Sequence, residues 1–216
     1  MNELEMKGLW DAYDKKLERS LKINLRLLED LQVTKAKSKL NALLSIKITG
    51  ILFGIIWLLF LGVLVAGNHF KNVYFSLSVL ILMIFGIVAI ATYIRHMVLI
   101  SQVDYTESIS NSQSKLAELQ LSTIRVTGFL WLQLPFYTTF FWNSEWVTKG
   151  APGFWLIAFP ITILFTGLAI WLYKSIKPEN LHKNWVKKLL TVGIEYKYAI
   201  EAGDFLAEIE EFKKDE

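Results

Sequence analysis

The side chain best suited by its chemistry to metal binding or proton transfer is His96, which follows Arg95 at the end of a long apolar run. A metal site would need further His, Asp or Glu ligands at short helical spacing, and this part of the sequence offers none. The surroundings of His96 therefore favour a solvated flank over a ligand. We predict no metal site.

Carboxylates are frequent in the first 30 residues, where they stand among lysines on the polar side of a helical pattern. With no cysteine, the chain has no thiol nucleophile, no thiolate metal site and no disulfide. A glycine-rich phosphate loop, an HExxH pair and a Gly-x-Ser-x-Gly elbow are also missing from the sequence. We therefore predict a protein that is not an enzyme and has no catalytic residue and no cofactor. The carboxylates concerned are Asp11, Asp14, Glu18, Glu29 and Asp30.

Gln133 and Pro135 lie within an otherwise apolar segment. The proline lacks an amide hydrogen and is expected to kink a helix there, which leaves a carbonyl for Gln133, Thr138 or Thr139 to satisfy. A purely structural kink is one interpretation, and it is favoured because no charged residue accompanies the pair. A polar binding site in an oligomeric channel or small-molecule transporter is the alternative.

Four apolar segments are long enough to be membrane helices, at residues 44–66, 73–94, 126–142 and 154–173. Apolar residues make up 53% of the chain and charged residues only 20%, which is unusual for a soluble protein. The predicted fold is thus an all-α integral membrane protein with four transmembrane helices. Polar segments at 1–43, 95–125 and 178–214 are predicted to form long amphipathic helices outside the membrane.

The polar segment between the second and third spans contains a helix start signal. Asp104 and Glu107 have the spacing of a capping box, which predicts a helix that begins near Tyr105. This stalk helix, at 104–125, would continue into the third span.

Three glycines in the first span, Gly50, Gly54 and Gly62, share one helical face. Small residues at four-residue intervals let two membrane helices approach closely. The partner helix is either another span of the same chain, which we favour, or the same face of a second copy in a homo-oligomer.

The positive charges predict the orientation. Of the 23 Lys and Arg residues, 21 lie before or at the start of the first span (Lys47 is the last of these), between the second and third spans, or after the fourth. The other two loops hold one each, Lys71 and Lys149. By the positive-inside rule both termini and the middle loop are predicted to be cytoplasmic in this multi-pass protein.

Large apolar side chains form a stripe along the N-terminal helix, with Asn24 at the one polar position. Leu17, Leu21, Leu28 and Leu31 recur at intervals of four, seven and three residues, as in a coiled coil. The stripe either packs on the protein's own C-terminal helix, which is the favoured interpretation, or binds a separate protein. The residues predicted for partner binding are Trp10, Tyr13, Leu17, Leu21 and Leu28, together with Trp185 and Tyr196 of the C-terminal region.

A resemblance to a known group of proteins extends over most of the chain. It rests on the first eleven residues, the Lys16-Leu17-Glu18 run with Leu21 and Asn24, Lys37 to Asn41, and Val103-Asp104-Tyr105. In these stretches the chain resembles a group of small four-span membrane proteins of Bacteroidota. Genes for that group often lie beside one for an alternative sigma factor. The resemblance implies an anti-sigma or sigma-tethering role, but no functional residues are carried over from it.

Taken together, the sequence predicts a non-enzymatic regulator or scaffold of the inner membrane. Its cytoplasmic helices would bind a soluble protein, for which the resemblance implies a sigma factor, and its spans would contact membrane lipid. Direct nucleic-acid binding is not expected. The alternatives are the oligomeric channel or transporter and an accessory subunit of a larger membrane complex.

Overall fold

A computed structural model describes residues 3–103 and 109–214, and within these ranges the chain is helical with no β-strand. The eight α-helices are α1 (Glu3–Asn68), α2 (Val73–Ser101), α3 (Ile109–Leu130), α4 (Leu134–Thr139), α5 (Ser144–Thr148), α6 (Phe159–Ser175), α7 (Asn184–Val192) and α8 (Ile194–Lys214). Two 3-10 turns, Trp131–Gln133 and Pro178–Asn180, and a π-helical turn, Phe154–Ala158, connect or extend them. The predicted capping box at Asp104 and Glu107 lies outside the described residues.

Helix α1 runs through 66 residues without a break. It contains no proline, so every amide after the first turn can donate to a carbonyl of the same helix. At 1.5 Å per residue it is roughly 100 Å long. It ends where His69 and Phe70 adopt positive φ angles of 46° and 56°, and α2 then begins behind Asn72, whose side chain accepts a hydrogen bond from Phe75 N at 3.3 Å.

Three helical segments are long and apolar enough to cross a membrane. They are Trp10–Asn68 in α1, Val73–Ser101 in α2, and Phe154–Ser175, which joins the π-helical turn to α6. The chain is therefore a membrane protein by the length and composition of its helices. These segments contain the predicted spans at 44–66, 73–94 and 154–173.

The predicted third span, residues 126–142, is not one continuous helix. Helix α3 ends at Leu130, a 3-10 turn follows, and α4 covers only six residues from Leu134. Pro135 is the reason, because it cannot donate to the helix ladder and its ring displaces the carbonyl four residues earlier. A similar effect accompanies Pro160, where the preceding turn widens so that Phe159 N donates to Phe154 O.

The polar ends of four helices pack together beside the membrane segments. Their residues 33–47 (α1), 95–103 (α2 and the residues after it), 112–125 (α3) and 195–205 (α8) form what we term the juxtamembrane bundle. Helix α8 runs antiparallel to α1, because Glu195 contacts Lys47 while Glu201 contacts Lys39. The buried apolar residues of the bundle are Ala36, Leu40, Leu43, Leu99, Ile100, Val103, Leu116, Leu119, Ala199 and Ala202.

The predicted C-terminal helix, at 178–214, is divided. Pro178 starts a 3-10 turn, α7 follows, and Gly193 adopts an extended conformation before α8 begins. The break lets α7 pack beside the end of α6 while α8 returns along α1. A second buried cluster joins these elements to α3, through Ile124, Leu172, Ile176, Val186, Leu190 and Tyr196.

Candidate functional site

The side chains predicted to form the N-terminal stripe are exposed in the structure. Their exposed fractions range from 42% for Leu28 to 74% for Tyr13. The favoured interpretation, that this stripe packs on the C-terminal helix, is therefore wrong. We refer to these residues as the N-terminal stripe: Trp10, Tyr13, Leu17, Leu21, Leu28 and Leu31.

The geometry of α1 explains the exposure. With 100° of rotation per residue, the stripe lies roughly 100° around the helix from Ala36, Leu40 and Leu43. Those three residues are almost fully buried in the juxtamembrane bundle. Of the described contacts between α1 and α8, the one farthest from the membrane segments places Lys35 Nζ 5.5 Å from the ring centroid of Phe205. The stripe thus lies on another face of α1, and most of it lies farther from the membrane than this contact.

The two C-terminal residues predicted for partner binding have different surroundings. Trp185 is 39% exposed, and its ring stacks on Trp171 with 5.0 Å between centroids and a 6° angle between planes. Tyr196 is buried in the cluster around Leu190, where its hydroxyl has a pKa raised by burial. The prediction for Tyr196 is corrected, because a buried side chain cannot contact a partner.

A buried ion pair lies where α1, α2 and α8 meet. The Lys47 side chain is 1% exposed, and its ammonium group forms an ion pair with the Glu195 carboxylate. Tyr93 donates its hydroxyl hydrogen to the other carboxylate oxygen at 2.9 Å, and Lys47 Nζ lies 4.0 Å from the centre of the Tyr93 ring. We term Lys47, Tyr93 and Glu195 the buried triad.

The triad is suited to fixing helices more than to reacting with a substrate. A buried ammonium group requires an anion nearby, so α8 is held at one position along α1 and α2. The burial of Lys47 has a signal in the sequence. Lys47 continues the spacing of Ala36, Leu40 and Leu43, and therefore points toward the same buried face.

His96 is buried next to the triad and is not the solvated flank that its sequence neighbours suggested. Its side chain is 1% exposed, and its Nε2 shares a hydrogen bond with Ser122 Oγ of α3 at 2.8 Å. Its ring stacks against Tyr93, with 6.4 Å between centroids. The burial of His96 was not predictable from its neighbours, because it depends on Ser122 of α3, which lies 26 residues later in the sequence.

A second ionic contact joins α1 to α8 nearer the surface. Lys39 Nζ lies 2.6 Å from a Glu201 carboxylate oxygen, and Lys197 lies 3.7 Å from the other oxygen. The hydrogen bond to Glu201 raises the pKa of Lys39 above its usual value, and the same bond lowers the pKa of Glu201. This pair reinforces the register that the triad sets.

The glycine face of α1 packs on α2 of the same chain, as favoured above. A β-carbon at Gly50 would lie 2.5 Å from the Tyr93 ring, and one at Gly54 would lie 3.0 Å from Ile90. Gly62 has open space around it and takes no part in this contact.

Gln133 lies on a membrane-level cavity of about 280 Å³ whose wall includes Gly50, Gly54, Tyr93 and Tyr137. The structure thus brings the predicted glycine face and the predicted kink to one place. Within the described part of the chain, the Gln133 amide has no hydrogen-bond partner. The threonines after the kink are bonded, since Thr138 donates to Pro135 O at 2.7 Å and Thr139 to Phe136 O at 3.3 Å.

Comparison of the chain with family models, with curated proteins and with solved structures finds no match.

Proposed function

We propose that the chain is a non-enzymatic membrane regulator or scaffold whose N-terminal helix binds a soluble partner protein. The proposal includes four membrane spans, with the interrupted segment at 126–142 as the third. It also places the protein in a bacterial inner membrane with both termini in the cytoplasm, on the positive-charge distribution. The observation that carries the proposal is the exposed N-terminal stripe.

The stripe has the properties of a surface that binds another helix. Its six large apolar side chains lie on one face, and lysines and arginines cover other parts of the surface. Burial of one such side chain stabilises a complex by roughly 1.5–3 kcal/mol. A partner helix could therefore gain substantial binding energy along the stripe, with Asn24 able to fix the register.

The continuity of α1 favours a soluble protein, and not the membrane surface, as the partner of the N-terminal stripe. An amphipathic helix that binds lipid lies in the plane of the bilayer. Helix α1 instead continues without a break from the stripe into its apolar span. Residues 3–33 therefore extend roughly 45 Å away from the juxtamembrane bundle, along the direction of the helix. The resemblance to the Bacteroidota group makes a sigma factor the first partner to test.

A crosslinking experiment tests the proposal directly. Because the chain has no cysteine, one cysteine at Leu21 can carry a photoactivatable crosslinker in native membranes. We expect a single soluble protein to be crosslinked at this position. The crosslink should be lost when Leu17 and Leu28 are both replaced by serine. Ile23→Ser with Leu27→Ser is the matched control, because these residues are similarly exposed but lie outside the stripe.

The crosslinked product distinguishes the alternatives. A sigma factor would identify the regulatory target. Crosslinks to a second copy of the chain would show a homo-oligomeric coiled coil instead. Crosslinks only to lipid, or equal loss with the control variant, would contradict the proposal.

The cavity at Gln133 favours a second candidate function, the small-molecule channel or transporter. A hydrogen-bonding amide without a partner is costly in a membrane unless water or a ligand reaches it. If a water-filled path exists, a cysteine at position 133 should react with a membrane-impermeant maleimide. A cysteine at Ile84, on the exposed apolar surface, is the unreactive control. Equal lack of reaction at both positions would remove this candidate.

A further inference from the structure

We infer that a cavity between α3 and the end of α6 binds the phosphate group of an anionic membrane lipid. The cavity has a volume of about 310 Å³. The residues of its wall that matter here are Arg125, Phe129, Tyr173, Lys177 and Glu179. The inference does not depend on the proposed binding of a soluble partner.

The wall is arranged in two layers that match a phospholipid. Arg125 on α3 and Lys177 after α6 supply the cationic layer. Phe129 lies four residues farther along α3, which is roughly 6 Å toward the apolar segment. Tyr173 lies four residues before Lys177, within α6. A phosphate between the two cations would thus place its glycerol and acyl chains against the aromatic rings.

The position of the cavity fits a membrane border. Lys177 comes two residues after the membrane-spanning segment Phe154–Ser175 ends. At Ile176 the chain leaves the helix, with φ −85° and ψ 78°. Basic pockets between helices at such borders are typical sites for anionic lipid headgroups.

The two cations are available for an anion. Neither Arg125 nor Lys177 forms an ion pair with any carboxylate that the structure describes, and both side chains are exposed. Glu179 also lies on the cavity wall, so the net charge of Arg125, Lys177 and Glu179 is +1. An arginine with a lysine provides both the planar donors and the point charge with which proteins bind phosphate.

Gly128 brings the two walls together. A β-carbon at this position would lie 2.8 Å from the Ile176 carbonyl oxygen, so only glycine allows α3 to approach the end of α6 this closely. Gly128 lies between Arg125 and Phe129 in the sequence, and Ile176 itself contributes to the cavity wall. The cavity is therefore formed by the backbone packing and not by flexible side chains alone.

Native mass spectrometry of the full chain in detergent, titrated with phosphatidylglycerol or phosphatidylcholine, tests the inference. We expect tighter binding of phosphatidylglycerol, weakened about fivefold by Arg125→Gln or by Lys177→Gln. Lys174→Gln is the matched control, because Lys174 is exposed at the same border but is not part of the cavity wall. Thermal unfolding of each variant establishes that it is folded.

Three results would overturn the inference. The first is equal binding of the two lipids to the wild-type chain. The second is equal weakening by Lys174→Gln and the cavity variants. The third concerns the source of the phosphate: if inorganic phosphate displaces phosphatidylglycerol from the wild-type chain at the lipid's own concentration, the site binds soluble anions and not lipid.

Discussion

Two parts of helix α1 have similar apolar spacing and opposite surroundings. Residues 3–32 expose the N-terminal stripe to solvent, whereas residues 33–47 bury Ala36, Leu40 and Leu43 against α2, α3 and α8. Helical amphipathicity alone therefore does not distinguish a surface that packs within the chain from one left free. The difference comes from where the rest of the chain returns to α1, and a single helix here carries both an internal core and an exposed apolar stripe.

The largest effect is expected from the buried triad. Glu195→Ala leaves the Lys47 ammonium group buried without its anion, so we expect a loss of about 3–5 kcal/mol in the free energy of unfolding. Unfolding by a denaturing detergent, followed by tryptophan fluorescence, measures this loss. The double variant Lys47→Met with Glu195→Leu is the control and should stay within about 1–2 kcal/mol of wild type, because it removes both charges. Equal stability of the single variant and wild type would contradict the role of the triad.

A leucine from each part of α1 tests the comparison itself. Leu40 is 1% exposed and Leu17 is 60% exposed. Leu40→Ala should therefore cost about 2–5 kcal/mol of unfolding free energy, while Leu17→Ala should change it by less than about 0.5 kcal/mol. Binding to the crosslinked partner should show the reverse order. If Leu17→Ala were as destabilising as Leu40→Ala, the stripe would be packed within the chain and the comparison would fail.

The glycines extend the comparison into the membrane segment. Alanine at position 50 would meet the Tyr93 ring, which the hydrogen bond to Glu195 holds in place. We expect Gly50→Ala to destabilise the chain by about 1–3 kcal/mol. Gly62→Ala should be neutral or stabilising by up to about 1 kcal/mol, since its surroundings are open and alanine favours helix. The same detergent titration measures both, and equal losses would show that Gly62 also lies in a close contact.

The sequence predicts the helical class and three of the membrane segments well, because an apolar run of this length has few alternatives to a helix. At the third segment the break expected at Pro135 is present, since α3 ends at Leu130 and α4 begins at Leu134 after a 3-10 turn, while the crossing of the membrane by this segment stays a prediction. Lys47 and His96 are missed. Their burial depends on α8 and α3, which lie 148 and 26 residues away in the sequence, respectively, at the contacting positions. The spacing of Lys47 places it on the buried face of α1, but neither its partner Glu195 nor the Ser122 partner of His96 leaves a local pattern in the sequence.

The smallest effect concerns the ionic contact between Lys39 and Glu201. The lowered pKa of Glu201 means that its contribution is present above the ordinary glutamate value of 4.5 and is lost as the pH falls through the lowered value. The raised pKa of Lys39 means that its contribution is present below 10.5 and is lost as the pH rises through the raised value. The melting temperatures of wild type and Glu201→Gln should therefore differ by a constant amount at pH values between these two limits. They should converge at lower and at higher pH. A difference that stays constant into acid would show that Glu201 acts through packing, and the register of α8 on α1 would then depend on the buried triad alone.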